Sequence, residues 1–167
     1  MSPDPIKTLK DFNCPPHIIE HSRAVSTKAL DMAFNFKDKT GTHLDMFQIE
    51  TGSILHDIGR TRTHTIKHAV VGAEILRNLN FPDEIVNITI KHIGAGIPPK
   101  EAEMLGLPPK DYMPHTLEEK IVAHADNLIN GTIEVNIDFI IEKWKKIFGN
   151  NHPAIYRLKK LHNELIL

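Results

Sequence analysis

Apolar residues recur every three to four positions through most of the chain, and this spacing places them on one face of an α-helix. The first such stretch, 17–36, follows the pair Pro15-Pro16, as expected where a helix begins. The same spacing predicts further helices over 44–59, 66–79, 82–93, 101–105, 117–129, 134–148 and 153–167. Most of the chain is therefore predicted to be helical.

Polar and glycine-rich segments separate these stretches. The polar segment 35–41 is predicted to end the first helix, and Gly131 to end the helix over 117–129. Thr116 and Glu119 have the spacing of a capping box at the start of that helix. No segment alternates between apolar and polar residues over strand length. We therefore expect one all-α domain over residues 1–167.

Composition narrows the function without identifying it. The chain carries 20 basic and 21 acidic residues, for a formal net charge of −1, which argues against broad binding to a nucleic acid polymer. Cys14 is the single cysteine, so no internal disulfide is possible. No apolar run approaches 18 residues, and the first residues lack the apolar core of a signal peptide. We expect a soluble, cytoplasmic protein that does not act at a membrane.

Histidine and aspartate are the residues that indicate chemistry. Eleven histidines occur; His21 lies one turn into the first helix, and His56 with Asp57 ends the second. Asp126 lies among apolar residues, where a carboxylate is costly to bury unless it is paired or bound to a metal. Two nitrogen and two oxygen ligand types suit Fe, Mn, Co, Ni or Zn better than a cysteine-rich structural zinc site.

The motif HDIG at 56–59, with His21 before it and Asp126 after it, resembles the HD superfamily of metal-dependent phosphohydrolases. The segments KHAVVGAEIL and KHIGAGI, with LEEKIVAHADNLI, are similar to the branch that contains bacterial diadenosine tetraphosphate hydrolases with two-iron sites. The resemblance covers residues 17–131 and implies a single-domain HD-type helical bundle. We expect the helices within 132–167 to pack on that bundle.

The resemblance also implies a set of metal ligands. One ion would be held by four residues: His21, His56, Asp57 and Asp126. A second ion would be held by His68 and His92, with Asp57 bridging the two ions. The expected cofactors are two divalent ions, Fe or Mn first, with Ni, Co or Zn as alternatives. His68 and His92 could instead contact substrate or only pack in the core.

Basic residues near this set are candidate phosphate binders. Asp57, Arg60 and Lys67 are the predicted catalytic residues. The predicted substrate-binding residues are Arg60, Arg62, Lys67, Lys91, Gly94 and Gly96. The alternatives are a solvated basic loop over 60–67 and an ordinary interhelix loop over 94–100.

The remaining histidines carry weaker expectations. His17 shares a helix face with His21, and His64 is able to reach a substrate from its loop, although solvent exposure is favoured for both. His124 is expected to be structural, because it lies about 200° around the helix from Asp126. Those expected at the surface are His43, His115, His152 and His162.

The function expected from the resemblance is hydrolysis of a small-molecule phosphoester by a metal-bound hydroxide. The candidate substrates are nucleotides, dinucleoside polyphosphates and 2′,3′-cyclic phosphates such as dihydroneopterin cyclic phosphate. A regulatory HD domain that binds a metal or nucleotide without catalysis is one alternative, and an oxygenase is another. The apolar face that includes Ile137, Ile140 and Trp144 is expected to pack on the bundle, and part of it could serve as a homodimer contact.

Overall fold

The computed structural model describes residues 3–167, so the first two residues of the predicted domain lie outside the described part. The α-helices within that part are α1 (Pro5–Asp11), α2 (Pro16–Thr40), α3 (Met46–Leu55), α4 (His68–Asn78), α5 (Asp83–Lys91), α6 (Pro99–Met104), α7 (Leu117–Asn127), α8 (Ile137–Phe148) and α9 (Pro153–Leu165). Two short strands, β1 (Ile129–Asn130) and β2 (Ile133–Glu134), form an antiparallel hairpin between α7 and α8. The predicted all-α class is confirmed.

Helix α2 is longer than predicted. It continues through the polar segment 35–41 to Thr40, because Phe36 is buried in the core while its polar neighbours remain exposed. Gly41 then ends the helix with a φ of 71°, a left-handed conformation that suits glycine. The polar segment therefore does not end α2, because Phe36 within it packs in the core.

Helix α3 is shorter than predicted, and its end creates the site. It begins at an Asp45 cap that accepts from the Gln48 amide, and it ends at Leu55 instead of continuing to Gly59. A turn at His56 and Asp57 follows, and then a short 3-10 helix, Ile58–Thr61. The chain therefore changes direction at the histidine–aspartate doublet, so the two side chains are not constrained to helical spacing.

Close packing of glycines holds this turn against α4. A Cβ atom added at Gly59 would lie 1.8 Å from the carbonyl oxygen of His68 and 2.7 Å from the amide nitrogen of Gly72. Only a residue without a side chain allows the two backbones to approach so closely. The glycine of the HDIG motif thus sets the distance between the doublet and the helix that carries His68.

The core consists of two large apolar clusters and a smaller one. The largest joins α2, α3 and α7 through Val25, Ile49 and Ile121, and it also includes Ile140 of α8 and Leu158 of α9. A second cluster lies beside the doublet and joins α1, α3, α4 and α5. Helix α1, which the sequence pattern did not predict, contributes the fully buried Leu9 to it. Among residues 3–167, no helix is long and apolar enough to cross a lipid bilayer.

Candidate metal centre

Six histidine and aspartate side chains from five segments converge in one cluster. His21 comes from α2, and His56 with Asp57 follows the end of α3. The others lie at helix ends: His68 begins α4, His92 directly follows α5, and Asp126 lies in the last turn of α7. The structure thus brings together all six residues that the sequence nominated as ligands.

Asp57 lies between three of the histidines. Its Oδ1 atom is 3.1 Å from Nε2 of His68 and 3.5 Å from Nε2 of His92, and its Oδ2 atom is 3.7 Å from Nε2 of His56. The carboxylate is almost fully buried. One carboxylate therefore faces both halves of the cluster.

Asp126 faces the other half. Its Oδ1 atom lies 3.0 Å from Nε2 of His21 and 3.5 Å from Nε2 of His56. His56 is therefore placed between the two carboxylates. The ligand atoms form three overlapping groups: His21, His56 and Asp57; His56, His92 and Asp126; and Asp57, His68 and His92. The two groupings that the resemblance implies are His21, His56, Asp57 and Asp126 on one side and Asp57, His68 and His92 on the other, and they remain a prediction.

Backbone carbonyl groups fix the orientation of all four imidazole rings. Each Nδ1 atom lies 2.6 to 2.8 Å from a carbonyl oxygen, in the pairs His21–Gly131, His56–Ser53, His68–Thr65 and His92–Thr89. A carbonyl only accepts, so each Nδ1 donates, and in a neutral ring the lone pair is then on Nε2. All four Nε2 atoms point into the cluster, which is the arrangement of histidines that bind a metal through Nε2.

The inward-facing atoms are incompletely satisfied without a cation. Nε2 of His56 and Oδ1 of Asp57 are buried and have no hydrogen-bond partner within residues 3–167. Nε2 of His68 lies 3.1 Å from Nε2 of His92, so two lone pairs face each other unless one ring gains a second proton. Buried polar atoms normally have partners. These residues therefore fit a metal centre.

The electrostatics of the cluster also favour positive charge. Burial opposes charge on His56, but the carboxylates of Asp57 and Asp126 more than offset it and raise its pKa to about 9. Burial also opposes charge on Asp57, yet His56 and then His68 hold its pKa far below its usual range. For His92, burial is the main cause of a lowered pKa. The buried carboxylate of Asp57 and the partly buried carboxylate of Asp126 need a positive charge between them, supplied by a proton or a metal ion.

The cluster opens to a cleft with a volume of about 580 Å³. The cleft is lined by His17, Ile18, Glu20, His21, Asp57, Arg60, His64, Gly131 and Thr132. Nε of Arg60 donates to Oδ2 of Asp57 at 2.8 Å, so the guanidinium group bridges a candidate ligand and the cleft. Of the predicted basic residues, Arg60 is the one that reaches this opening, while Arg62 and Lys67 are exposed and do not line it.

Other predicted substrate-binding residues lie away from this cleft. The ammonium group of Lys91 donates to the buried carboxylate of Glu119 at 2.9 Å. Gly94 and Gly96, with φ of 59° and 95°, line a separate cavity beside Trp144. Their assignment as substrate-binding residues remains a prediction.

Several features of the site were missed by the sequence analysis. The carbonyl of Gly131 orients His21, whereas the sequence pattern assigned this glycine only to a helix end. Glu20 and Thr132, which the sequence did not suggest, line the cleft. His64, for which solvent exposure was favoured over contact with substrate, is exposed and also lines the cleft. The positive φ of Gly131, 67°, belongs to the β1–β2 hairpin, and the two-residue strands are too short to produce an alternating pattern.

Histidines outside the cluster also differ in part from expectation. His124 is fully buried and directed away from the cluster, and its Nε2 lies 2.9 Å from Nδ1 of His162. His162 was expected at the surface but is partly buried by this contact. His152 is also partly buried, because its Nδ1 accepts from the Ala154 amide and caps α9.

Comparisons of the sequence with known proteins identify related proteins. A sequence model for the HD domain matches residues 18–131. An uncharacterized protein of Methanocaldococcus jannaschii is 54% identical over 160 residues, which cover 96% of this chain and 94% of the relative. The tRNA (cytidine(56)-2′-O)-methyltransferase of Picrophilus torridus is 46% identical over 94% of this chain, and this chain spans 44% of that longer protein.

Solved structures agree in fold. The HD domain of the L. monocytogenes phosphodiesterase PgpH superposes with a TM-score of 0.58, covering 96% of this chain and 95% of that one at 18% identity. The same domain in complex with cyclic-di-AMP gives a TM-score of 0.55 at 20% identity, covering 87% of this chain and 88% of that one.

Proposed function

The chain belongs to the HD domain family, and on this premise we propose that it is a metal-dependent phosphohydrolase that cleaves a small-molecule phosphoester. The single observation that supports this most strongly is the convergence of four Nε2 atoms on the buried carboxylate of Asp57 and the partly buried carboxylate of Asp126, beside an open cleft. Such a set has no evident structural purpose, because it leaves buried polar atoms without partners.

We assign the two groupings to two divalent cations. His21, His56, Asp57 and Asp126 would hold one ion, and His68 and His92 would hold the other, with Asp57 shared. Fe or Mn is the preferred identity, with Ni, Co or Zn as alternatives, because the ligands are imidazole and carboxylate. When bound, such a pair would neutralise the charge of the phosphate and lower the pKa of a water molecule, so that hydroxide is available for attack.

The protein's own groups supply orientation and substrate charge complementarity. The four Nδ1–carbonyl hydrogen bonds hold the imidazole rings in one tautomer, so no reorganisation is needed on binding. Arg60 anchors Asp57 through Nε, and its two terminal nitrogens are not engaged by Asp57, so they are available to a phosphate in the cleft. Burial of Asp57 keeps bulk water from screening these interactions.

The cleft favours a small substrate. Its volume of about 580 Å³ lies within the range of small-molecule pockets. Nucleotides, dinucleoside polyphosphates and 2′,3′-cyclic phosphates, including dihydroneopterin cyclic phosphate, remain the candidates. Because PgpH was solved with cyclic-di-AMP, cyclic dinucleotides join this set.

Metal-loaded protein should hydrolyse one of these phosphoesters, and this can be tested directly. Protein purified without oxygen would be loaded with Fe(II) or Mn(II) and screened against phosphomonoesters, cyclic phosphodiesters and dinucleoside polyphosphates. Turnover that Asp57→Ala abolishes is the expected result. Metal binding without turnover of any substrate would instead support a regulatory HD domain, and consumption of dioxygen would support an oxygenase.

A second candidate substrate is a phosphoester within RNA. It is favoured by the relative from Picrophilus torridus, which is named as a tRNA methyltransferase. That protein contains a segment related to this chain, and the rest of its length is not matched. The net charge of −1 argues against extended contact with a polymer, so recognition would be confined to an RNA end. Release of phosphate or opening of a 2′,3′-cyclic end on a short RNA, at a rate above that on matched mononucleotides, would support this candidate.

A further inference from the structure

A second cavity lies on a different part of the surface from the metal cleft. It has a volume of about 400 Å³ and is enclosed by the loop 94–97, α6, α8 and the start of α9. It shares no lining residue with the cleft that exposes Asp57 and Arg60. A molecule in this cavity therefore does not occupy the opening to the candidate metals.

Aromatic side chains form one side of this cavity. The indole of Trp144 packs on Gly94, where an added Cβ would lie 3.3 Å from Cη2 of the ring. The ring of Phe148 lies edge to face with the indole, with ring centroids 6.1 Å apart. The imidazole of His152 stacks on Phe148, with ring centroids 4.9 Å apart. Three neighbouring aromatic rings offer a surface on which a planar ring can stack.

The polar groups of the cavity carry little net charge. Arg157 donates to both carboxylate oxygens of Glu101, at 2.9 and 2.6 Å, so each charge is neutralised by the other. Nε of Arg157 is buried and lacks a hydrogen-bond partner among residues 3–167. Because Nδ1 of His152 accepts from the Ala154 amide, a neutral His152 carries its proton on Nε2. Since the buried Nε of Arg157 is not accessible, the cavity combines an aromatic wall with the Nε2–H donor of His152, which an uncharged acceptor can satisfy.

We propose that this cavity is a second small-molecule site, which binds a neutral planar heterocycle of the size of a nucleobase. Its volume is in the range of ligand pockets, and aromatic stacking with a few polar contacts is how proteins hold such rings. A side-chain hydrogen bond connects the cavity to the candidate metal centre. Asn127, which follows the ligand Asp126, donates to the carbonyl of Gly94 at 2.9 Å, two residues after His92.

Trp144 provides a direct test, because it is the single tryptophan of the chain and lies in the wall. Adenosine, an uncharged nucleoside, would be titrated into metal-loaded protein while the tryptophan emission is recorded. We expect a saturable change with a Kd below about 1 mM. Phe148→Ala should weaken binding at least fivefold. Phe139→Ala is the matched control, because Phe139 lies on the same helix, is similarly exposed and does not line the cavity.

Separate outcomes would overturn the proposal. No saturable change up to about 10 mM adenosine would exclude a nucleobase site of useful affinity. Equal loss of binding in Phe148→Ala and Phe139→Ala, or unchanged binding in the cavity-filling variant Ala154→Phe, would show that the ring does not bind here. Loss of the response in Arg60→Ala would assign it to the metal cleft. The readout does not depend on hydrolysis, so it is independent of the proposed phosphohydrolase activity.

Discussion

At the scale of single residues, the arrangement around Asp57 would allow one carboxylate to serve the two ions that we propose. Its two oxygens are within 3.1 to 3.7 Å of Nε2 atoms from His56, His68 and His92, and Arg60 donates to it from the cleft side. The same residue thus joins both metal groupings and the substrate opening. No other side chain of the cluster has all three kinds of contact.

Replacing Asp57 by alanine should therefore abolish both functions together. We expect bound metal to fall below one ion per chain and turnover to fall by about 10³-fold or more, because the shared ligand and the anchor of Arg60 are both lost. Metal analysis and hydrolysis assays on the same preparation measure this. Full activity with unchanged metal content would contradict it. Asp126→Ala, which removes a ligand of one grouping, is the control and should leave the second grouping intact.

The basic loop gives a prediction that separates neighbouring arginines. Arg60→Ala should lower turnover of anionic phosphoesters by about 10- to 100-fold while metal content stays the same, because a positioned cation at the cleft is removed. Arg62→Ala is the matched control, since Arg62 is exposed and does not line the cleft. Steady-state kinetics on each variant decide it, and Lys67→Ala tests whether that predicted catalytic residue has a role. Equal kinetics for Arg60→Ala and wild type would mean that the loop is only solvated.

At the scale of elements, the contact between the 3-10 helix and α4 determines where His68 lies. Gly59→Ala places a Cβ against the backbone of His68 and Gly72. Both residues belong to α4, so the clash can be relieved only if the helix shifts. We expect a loss of about 3 kcal/mol in the free energy of unfolding, from overpacking. We also expect weaker binding of the second ion, because His68 is displaced. Denaturant unfolding and metal analysis measure the two effects.

Gly41→Ala is the control for that substitution. Gly41 has open space around it, so alanine there costs only the strain of a left-handed φ, about 1–2 kcal/mol. It should leave metal content unchanged. If Gly59→Ala retains wild-type stability and both ions, the glycine does not set the position of His68.

The contact between α7 and α9 predicts how stability depends on pH. Burial lowers the pKa of His124 to about 3, and the neighbouring His162 and Lys28 add to the shift. The unfolded chain therefore binds this proton below pH 6.5, while the folded protein does not until about pH 3. The contribution of His124 to stability is thus lost as the pH falls below 6.5, and at pH 5 this one group costs about 2 kcal/mol.

Unfolding by denaturant at pH 7 and pH 5 measures this dependence. His124→Gln should lose less stability between the two pH values than the wild type, since the titrating group is absent. His43→Gln, at an exposed position, should behave as the wild type does. A pH dependence that is the same in His124→Gln and wild type would contradict the account.

The helices could be predicted from sequence because their apolar spacing is regular, as in α4 and α7. The end of α3 could not be predicted in this way. Ile58 remains apolar and fully buried, so the periodicity does not reveal that the chain leaves the helix at His56. The hairpin at Gly131 and the path of the loop at Gly94 depend on contacts far away in the sequence, with His21 and Trp144. These contacts also decide which predicted substrate-binding residues reach the cleft.

The identities of the six candidate ligands followed from their order along the chain, together with the HDIG resemblance. Their geometry depended on long-range packing. The packing of α4 against α5, for example, brings Nε2 of His68 to 3.1 Å from Nε2 of His92. The anchoring of each Nδ1 to a carbonyl could not be read from residue types, because any residue supplies a carbonyl.

At the scale of the whole molecule, the cleft beside the candidate ligands and the second cavity lie at different places on the helical bundle. The helices that carry or adjoin the candidate ligands, α2, α3, α4, α5 and α7, all contribute residues to the two large apolar clusters. Helices α8 and α9, which lie beyond the matched residues 18–131, contribute to the core and to the second cavity. We thus propose phosphoester hydrolysis within the matched HD segment. We propose binding of a planar heterocycle where that segment meets α8 and α9.

The central claim is that these six residues hold two ions, and counting the metals in active protein tests it most directly. Protein purified without oxygen and loaded to full activity should contain about two divalent ions per chain. The double variant His68→Ala/His92→Ala should contain about one ion, because His21, His56, Asp57 and Asp126 are all retained. It should lose most of its hydrolysis, because the second ion is absent. Fully active wild-type protein with one ion, or a double variant that retains two, would contradict the claim.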